Sequence, residues 1–253
     1  RFYSKFNTYF CKNIVKFYMK NMSHNIQKNN QIKFFSNFNE LIETPFEGII
    51  NAHCWNRNLI GDFEEIVNKL ILHEDITIIT IDDLMNLNLS ENGDKAREII
   101  IEDLKLLSEL GASPTLNLLK CYERDDTLDF ISTDVYSYHV DSSPISTDTF
   151  LCTYFGASSD ILPNDSVTQK ILIPEIRSKL KELHDGSDDE FELFLEEFYF
   201  DLHYQANIDA EPINLGLGNL WRLAVKNPQQ LVPPCVHRAP KENKNELRLL
   251  LIC

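Results

Sequence analysis

No two of the six cysteines (Cys11, Cys54, Cys121, Cys152, Cys235 and Cys253) form a CxxC pair, and long intervals separate them all. This spacing is not that of a zinc ribbon or a disulfide framework, so reduced cytoplasmic thiols are the simplest reading. No run approaches the ~20 apolar residues that a membrane span needs, and a soluble, cytoplasmic protein is expected. Nor is there a stripe of Lys and Arg with interleaved aromatics. With 24 basic and 39 acidic residues the net charge is −15, and a body this acidic repels phosphate backbones. Nucleic acid is not an expected partner. There is no internal repeat and no low-complexity tract.

Acids are absent from residues 1–33, where Arg1, Lys5, Lys12, Lys16, Lys20, Lys28 and Lys33 give +7. The rest, with 17 basic and 39 acidic residues, stands at −22. We read 1–33 as a basic extension outside the fold. It lacks the continuous apolar core of a signal peptide; a targeting or membrane-surface segment, or a start at Met19 or Met22, are the alternatives. The remaining 34–253, in a chain that is 43% hydrophobic, is long enough for one domain with a substantial core.

What is present reads as helices first and strands later. "GDFEEIVNKLILH" has Asp62 as a cap with Glu65 three residues on, and an apolar stripe at Phe63, Ile66, Val67, Leu70 and Ile71. A second helix over about 94–110 stops at Gly111. "DITIITI", and a stretch within 47–53, are strand-like, but the N-terminal third reads as mainly helical. From 116 onward, "LNLLKCY", "LDFISTDVYSYHV" and "STDTFLCTYFG" are short, β-branched and aromatic-rich runs separated by polar breaks. Two acidic helices, one from Pro174 and one over 188–203, form an insertion at about 174–211. Strand texture returns in "LGNLWRLAV", "LVPPCVHRAP" and "ELRLLLIC". The pattern predicts an α+β chain on an antiparallel sandwich or barrel.

Within "YSYHVDSSP", His139 and Asp141 stand two apart, so in a strand both project from one face. With 7 histidines and 39 acids, about one such pair is expected by chance. A decoy exists in His73-Glu74-Asp75, at the end of the first helix, where a histidine suits the helix dipole. The distal segment "CVHRAPKENKNELRLLL" distinguishes the first pair by adding His237 and Arg248 in strand-like surroundings. Two histidines and one carboxylate on one face of a metal leave three adjacent positions open, the arrangement of non-haem Fe(II) oxygenases. A nearby arginine offers a planar fork for a carboxylate. Tyr138, Thr149, Thr153 and Tyr154 are candidates to line a cavity or, equally, to pack. Arg222 and Arg238 compete for the anion-binding role, although Arg238, adjacent to His237, should face the other way. Trp221 is expected in the core, Cys152 and Cys235 as small buried hydrophobes, and His184 and His203 are given no ligand role.

These residues resemble the pattern of the Fe(II)/2-oxoglutarate-dependent oxygenase superfamily, H-x-D, a distal His, then Arg or Lys about ten residues on, over roughly 130–253. The wording "HVD…TFLCTYFG…HRAP…RLLL" also looks like an uncharacterised bacterial family without an assigned activity. The superfamily resemblance implies a double-stranded β-helix (jelly-roll, cupin-like) core with N-terminal helices and a helical insertion. It implies Fe(II) held by His139, Asp141 and His237, and 2-oxoglutarate as cosubstrate with its distal carboxylate on Arg248, Thr149 and Tyr138 nearby. A small molecule or protein side chain would be hydroxylated. One departure is that the superfamily often has a serine two residues after its arginine, where this chain has Leu250. The alternatives are a cupin-like metalloenzyme that does not use 2-oxoglutarate, or a non-enzymatic β-sandwich binding domain. In sheet terms, His237 and Arg248 are neighbours either in opposite sheets or across a simple hairpin turning near Glu242 and Asn243.

Overall fold

A computed structural model describes residues 30–198 and 202–253; the basic segment 1–29, with its alternative starts and Cys11, lies outside the described residues. Three short strands stand among the helices of the N-terminal part: β1 (Ile32–Phe35), α1 (Phe38–Glu43), β2 (Ala52–Trp55), α2 (Phe63–Lys69), β3 (Ile76–Ile79), α3 (Ile81–Met85) and α4 (Glu91–Glu109). Four-residue strands such as Ile-Lys-Phe-Phe are too short for a period of two to stand out. Ile32 and Lys33, read as part of the extension, belong to β1, which pairs in parallel with β2. Asp62 caps α2 through the Glu65 amide as expected, but the helix ends at Lys69. Ser90 caps α4, and the Glu65 carboxylate accepts from the Ser90 amide at 2.9 Å, tying the two helix starts together.

Beyond α4 come β4 (Thr115–Leu119), β5 (Tyr138–His139), β6 (Asp148–Phe155), β7 (Asp160–Leu162), β8 (Val167–Gln169), α5 (Pro174–Glu182), α6 (Phe191–Glu197), β9 (His203–Ala206), β10 (Ile213–Asn214), β11 (Leu220–Ala224), β12 (Val236–Arg238) and β13 (Arg248–Ile252). The chain is α+β, with two curled sheets that are antiparallel except at β1–β2. One has seven strands in the order β1-β2-β11-β6-β13-β4-β3, the other six in the order β10-β7-β12-β5-β9-β8. Strands β12 and β13 lie in different sheets, so the hairpin that would have paired His237 with Arg248 does not form.

Alternation along the strands divides the core. Leu116, Leu118, Tyr154, Leu249 and Leu251 face outward from the seven-stranded sheet and pack under Ile66, Val67, Ile100, Leu104 and Leu107 of α2 and α4. The intervening residues Leu119, Leu151, Trp221 and Leu250 face inward and meet Ile161 of the other sheet and Cys235, just before β12. Trp221 is thus a core residue, 1% exposed. Gly156, after β6, has φ +85°, and a Cβ there would lie 2.6 Å from the Leu247 carbonyl and 2.9 Å from Arg248 Cα. The close approach of β13 depends on that missing carbon.

The insertion packs a small core from Leu180, Phe191 and Leu195 together with Ile171 and with Ile131 of the segment before β5. Its second helix is shorter than expected. A 3-10 turn with a Ser187–Glu190 capping box precedes α6, which ends at Glu197, and His203 opens a strand. Tyr204 and Ala206 alternate with His203 and Gln205, and β9 finds partners on both sides in β5 and β8. Among the described residues, no helix is long and apolar enough to cross a membrane.

Candidate functional site

Strands β5 and β12 pair so that His139 stands directly opposite His237, their ring centroids 4.6 Å apart. Asp141 follows β5 by two residues and turns to the same face. Its Oδ2 lies 3.6 Å from His237 Nε2 and its Oδ1 3.9 Å from His139 Nε2. One ligand atom from each of the three lies within 4.8 Å of the others.

The tautomers follow from the backbone. His139 Nδ1 is 2.7 Å from the Ser137 carbonyl, and His237 Nδ1 3.1 Å from the Cys235 carbonyl. A carbonyl oxygen only accepts, so both Nδ1 atoms carry the proton and both Nε2 lone pairs are left facing Asp141. Nδ1–H bonded to a carbonyl and a bare Nε2 is how a histidine is held for a metal. Burial, reinforced by His237, pushes His139 down to about 4, so its imidazole stays neutral in the ordinary pH range. Burial works to raise Asp141, but His237, the Thr149 hydroxyl and His139 outweigh it and hold the carboxyl below its usual value. Ligand atoms bonded at about 2.1 Å to one ion stand at most about 4.2 Å apart, and the three here lie within 4.8 Å of one another. The donor set, two neutral imidazole nitrogens and a carboxylate, fits Fe(II) or Zn(II). Its Asp141 side, 36% exposed, leaves room for further ligands.

Arg248 occupies the inward face of the opposite sheet. Its Nη2 donates to Thr153 Oγ1 at 3.1 Å and to Ser159 Oγ at 2.9 Å. The side chain is 7% exposed, its Nε is buried without a hydrogen-bond partner, and among the described residues no carboxylate pairs with it. Burial pulls its pKa below the ordinary value, yet a guanidinium stays charged. A buried cation lacking a counter-ion is costly and calls for an anionic ligand. Thr149, Leu151 and Thr153 share one face of β6, so the carboxylate of Asp141 and the guanidinium of Arg248 are bracketed by residues roughly 13 Å apart along one strand.

The comparisons with known proteins bring nothing to this geometry: no family model, no curated protein and no solved structure matches the chain.

The remaining candidates separate cleanly. Thr149 does not await a cosubstrate; its hydroxyl donates to Asp141 Oδ2, in a short hydrogen bond that orients the carboxylate. Tyr138, adjacent to His139 in the strand, faces the opposite side among Val140, Leu162 and Val236, with Arg238 over its ring. It is a packing residue and is removed from the cosubstrate site. Tyr154 also points away, donating to Asp103 at 2.6 Å in the helix-covered core. Arg238 pairs with Asp160, and Arg222 with Asp148 while donating to three carbonyls at the end of α1, so both competitors are occupied. His73 is exposed, and Asp75 of the decoy pairs with Lys120. His53 lies between the rings of Phe35 and Phe46, and His184 beside Phe194. Cys152 is buried on the outer face and Cys235 on the inner.

One nearby residue is a histidine to which the sequence assigns no ligand role. His203 of β9 stands opposite His139 on the other side from His237, ring centroids 5.7 Å apart. The aromatic density of "FYFDLHY" was the available signal for a strand there.

Removing the second support of the carboxylate tests this arrangement. Thr149→Val is expected to weaken metal binding about tenfold, the lower end of the range for groups that orient ligands, measured by competition with a chelator.

Proposed function

We propose that this chain is a mononuclear non-haem Fe(II) oxygenase that uses 2-oxoglutarate to hydroxylate a small molecule or a protein side chain. The observation that carries the reading is the convergence of His139, Asp141 and His237 on one point, with a buried, unpaired Arg248 on the facing sheet. Bound iron would supply the oxygen chemistry, coupling decarboxylation of 2-oxoglutarate to attack on a C–H bond. The protein's tasks are positional. Ser137 and Cys235 carbonyls fix the two imidazoles, Thr149 fixes the carboxylate, and Thr153 and Ser159 aim the Arg248 fork at the far carboxylate of the cosubstrate.

The order of the strands supports a double-stranded β-helix. β4, β6, β11 and β13 occupy one sheet, β5, β7, β10 and β12 the other, and successive members change sheet at every step except β7 to β10. Winding of this kind brings the end of β5, β12 and the start of β13 to one interior. Leu250, where the superfamily often has a serine, favours a second reading, a cupin-like metalloenzyme with the same ligands and no use for 2-oxoglutarate.

Anaerobic titration of the metal-free protein with Fe(II) and then 2-oxoglutarate separates the two. A visible charge-transfer band is expected from the chelate, and Arg248→Ala should weaken 2-oxoglutarate binding about tenfold, the worth of one hydrogen bond to a charged group. Stoichiometric iron without a band would favour the second reading. Absence of iron binding would leave a binding domain without metal chemistry.

A further inference from the structure

The histidine pair is part of a longer row. Across the six-stranded sheet, His237 of β12 opposes His139 of β5, and His139 opposes His203 of β9. In the next pairing Gln169 of β8 opposes Tyr204, and Lys170, which follows, opens a 3-10 turn that packs beside β9. Directly opposed residues share a face, as the three histidines do; Lys170 reaches that face from outside the ladder. Its Nζ crosses to the β5 side, donating to Ser137 Oγ at 2.6 Å and to the Ser132 carbonyl at 2.9 Å. Ser137 immediately precedes that strand, and its carbonyl lies 2.7 Å from His139 Nδ1.

His203 and Lys170 differ in how far their polarity is used within the chain. His203 is 7% exposed and its Nδ1 is buried without a partner among the described residues. Among the described residues Lys170 forms no contact ion pair, although the charges of Asp134 and Asp125 act on its ammonium. The acids on its side, Asp125 and Asp134, are committed: Asp125 accepts from the Thr127 and Thr133 amides and the Thr133 hydroxyl, and Asp134 from the amides of Asp125, Tyr136 and Ser137. Two of the three ammonium protons of Lys170 hold it in place, which leaves the third for a ligand. The face beyond the metal ligands thus offers an imidazole one strand spacing from His139, or roughly 5 Å, and an ammonium fixed beside Ser137.

We infer that His203 and Lys170 form the docking point for an oxyanion, carboxylate or phosphate, carried by the substrate. The inference deepens the proposed function and rests on it in one respect, that the molecule so held is the one presented to the metal. Arg248 lies on the other sheet, so this is a second anion site, separate from that of the cosubstrate.

The test uses the full metal-free chain labelled with 15N, titrated separately with inorganic phosphate and with acetate while the imidazole resonances are followed by NMR. The His203 signal is identified by its loss in His203→Gln. A saturable shift of that signal is expected from at least one of the two anions, and the arm that produces it names the oxyanion. Lys170→Gln should weaken the binding about tenfold, a hydrogen bond to a charged group being worth at least that, and Lys170→Arg should restore most of it. Thermal melts check that each variant is folded. A shift that does not saturate, equal affinity in Lys170→Gln, or loss of the shift in Arg248→Ala but not in Lys170→Gln would overturn the inference. Mn(II) titration of the wild type stands apart: failure to bind the metal while phosphate or acetate still shifts His203 would sink the oxygenase reading and leave the anion site standing.

Discussion

Asp141→Ala is expected to weaken metal binding by more than about 100-fold, because changing groups that merely orient ligands already costs about 10- to 100-fold. Asp141 is the one anionic donor of the three, and without it two neutral imidazoles must hold a dication alone. The carboxylate is 36% exposed and follows β5 in a loop, so its removal takes little packing with it. The melting temperature of the metal-free variant should therefore stay close to that of the wild type, while the stabilisation conferred by added Fe(II) or Zn(II) disappears. Competition with a chelator measures the affinity. Wild-type affinity in the variant would mean that the ion, if bound, sits elsewhere.

The second large effect is on stability, on the other side of the seven-stranded sheet. Arg57 and Asp103 form a two-pronged ion pair of 2.6 and 2.8 Å, with side chains 8% and 2% exposed. Tyr154 donates to the same carboxylate, and Arg57 Nε to the Gly218 carbonyl at 2.9 Å. Asp103→Ala leaves a guanidinium and a phenol buried without their acceptor, at a cost of about 3–5 kcal/mol. For a chain of this size that lowers the melting temperature by on the order of 10 °C. The double variant Arg57→Met, Asp103→Leu should lose less than Asp103→Ala alone, since the stranded charge is gone. Urea unfolding checks both; a loss below about 1 kcal/mol in Asp103→Ala would mean that water reaches the site.

What could be read in advance tracks how local the signal is. The spacing of His139 and Asp141 is a two-residue fact, and the alternation of a strand suffices to bring them to one face. The same rule excluded Arg238 from the site and, applied to Tyr138, would have excluded that residue too. His237 and Arg248 were identifiable as candidates, but a linear pattern does not say which sheet each strand joins; the choice between a hairpin and opposite sheets is made by pairing partners far away in the chain. The same limit hid Arg57 and Asp103, 46 residues apart with no shared motif. His203 was missed for the opposite reason. The acidic helical pattern from Ser187 was strong enough to be carried past its end, although α6 stops at Glu197.

The division of labour between the sheets has a mechanical corollary. The two imidazoles belong to the six-stranded sheet, whereas Thr149 and Arg248 belong to the seven-stranded one. A molecule gripped at one end by an ion and at the other by Arg248 would act as a clasp across the sandwich, and slight parting of the layers would lengthen both grips at once. Retention of such a molecule and rigidity of the fold then become a single property, read equally well from a dissociation rate or from the exchange of inward-facing amides.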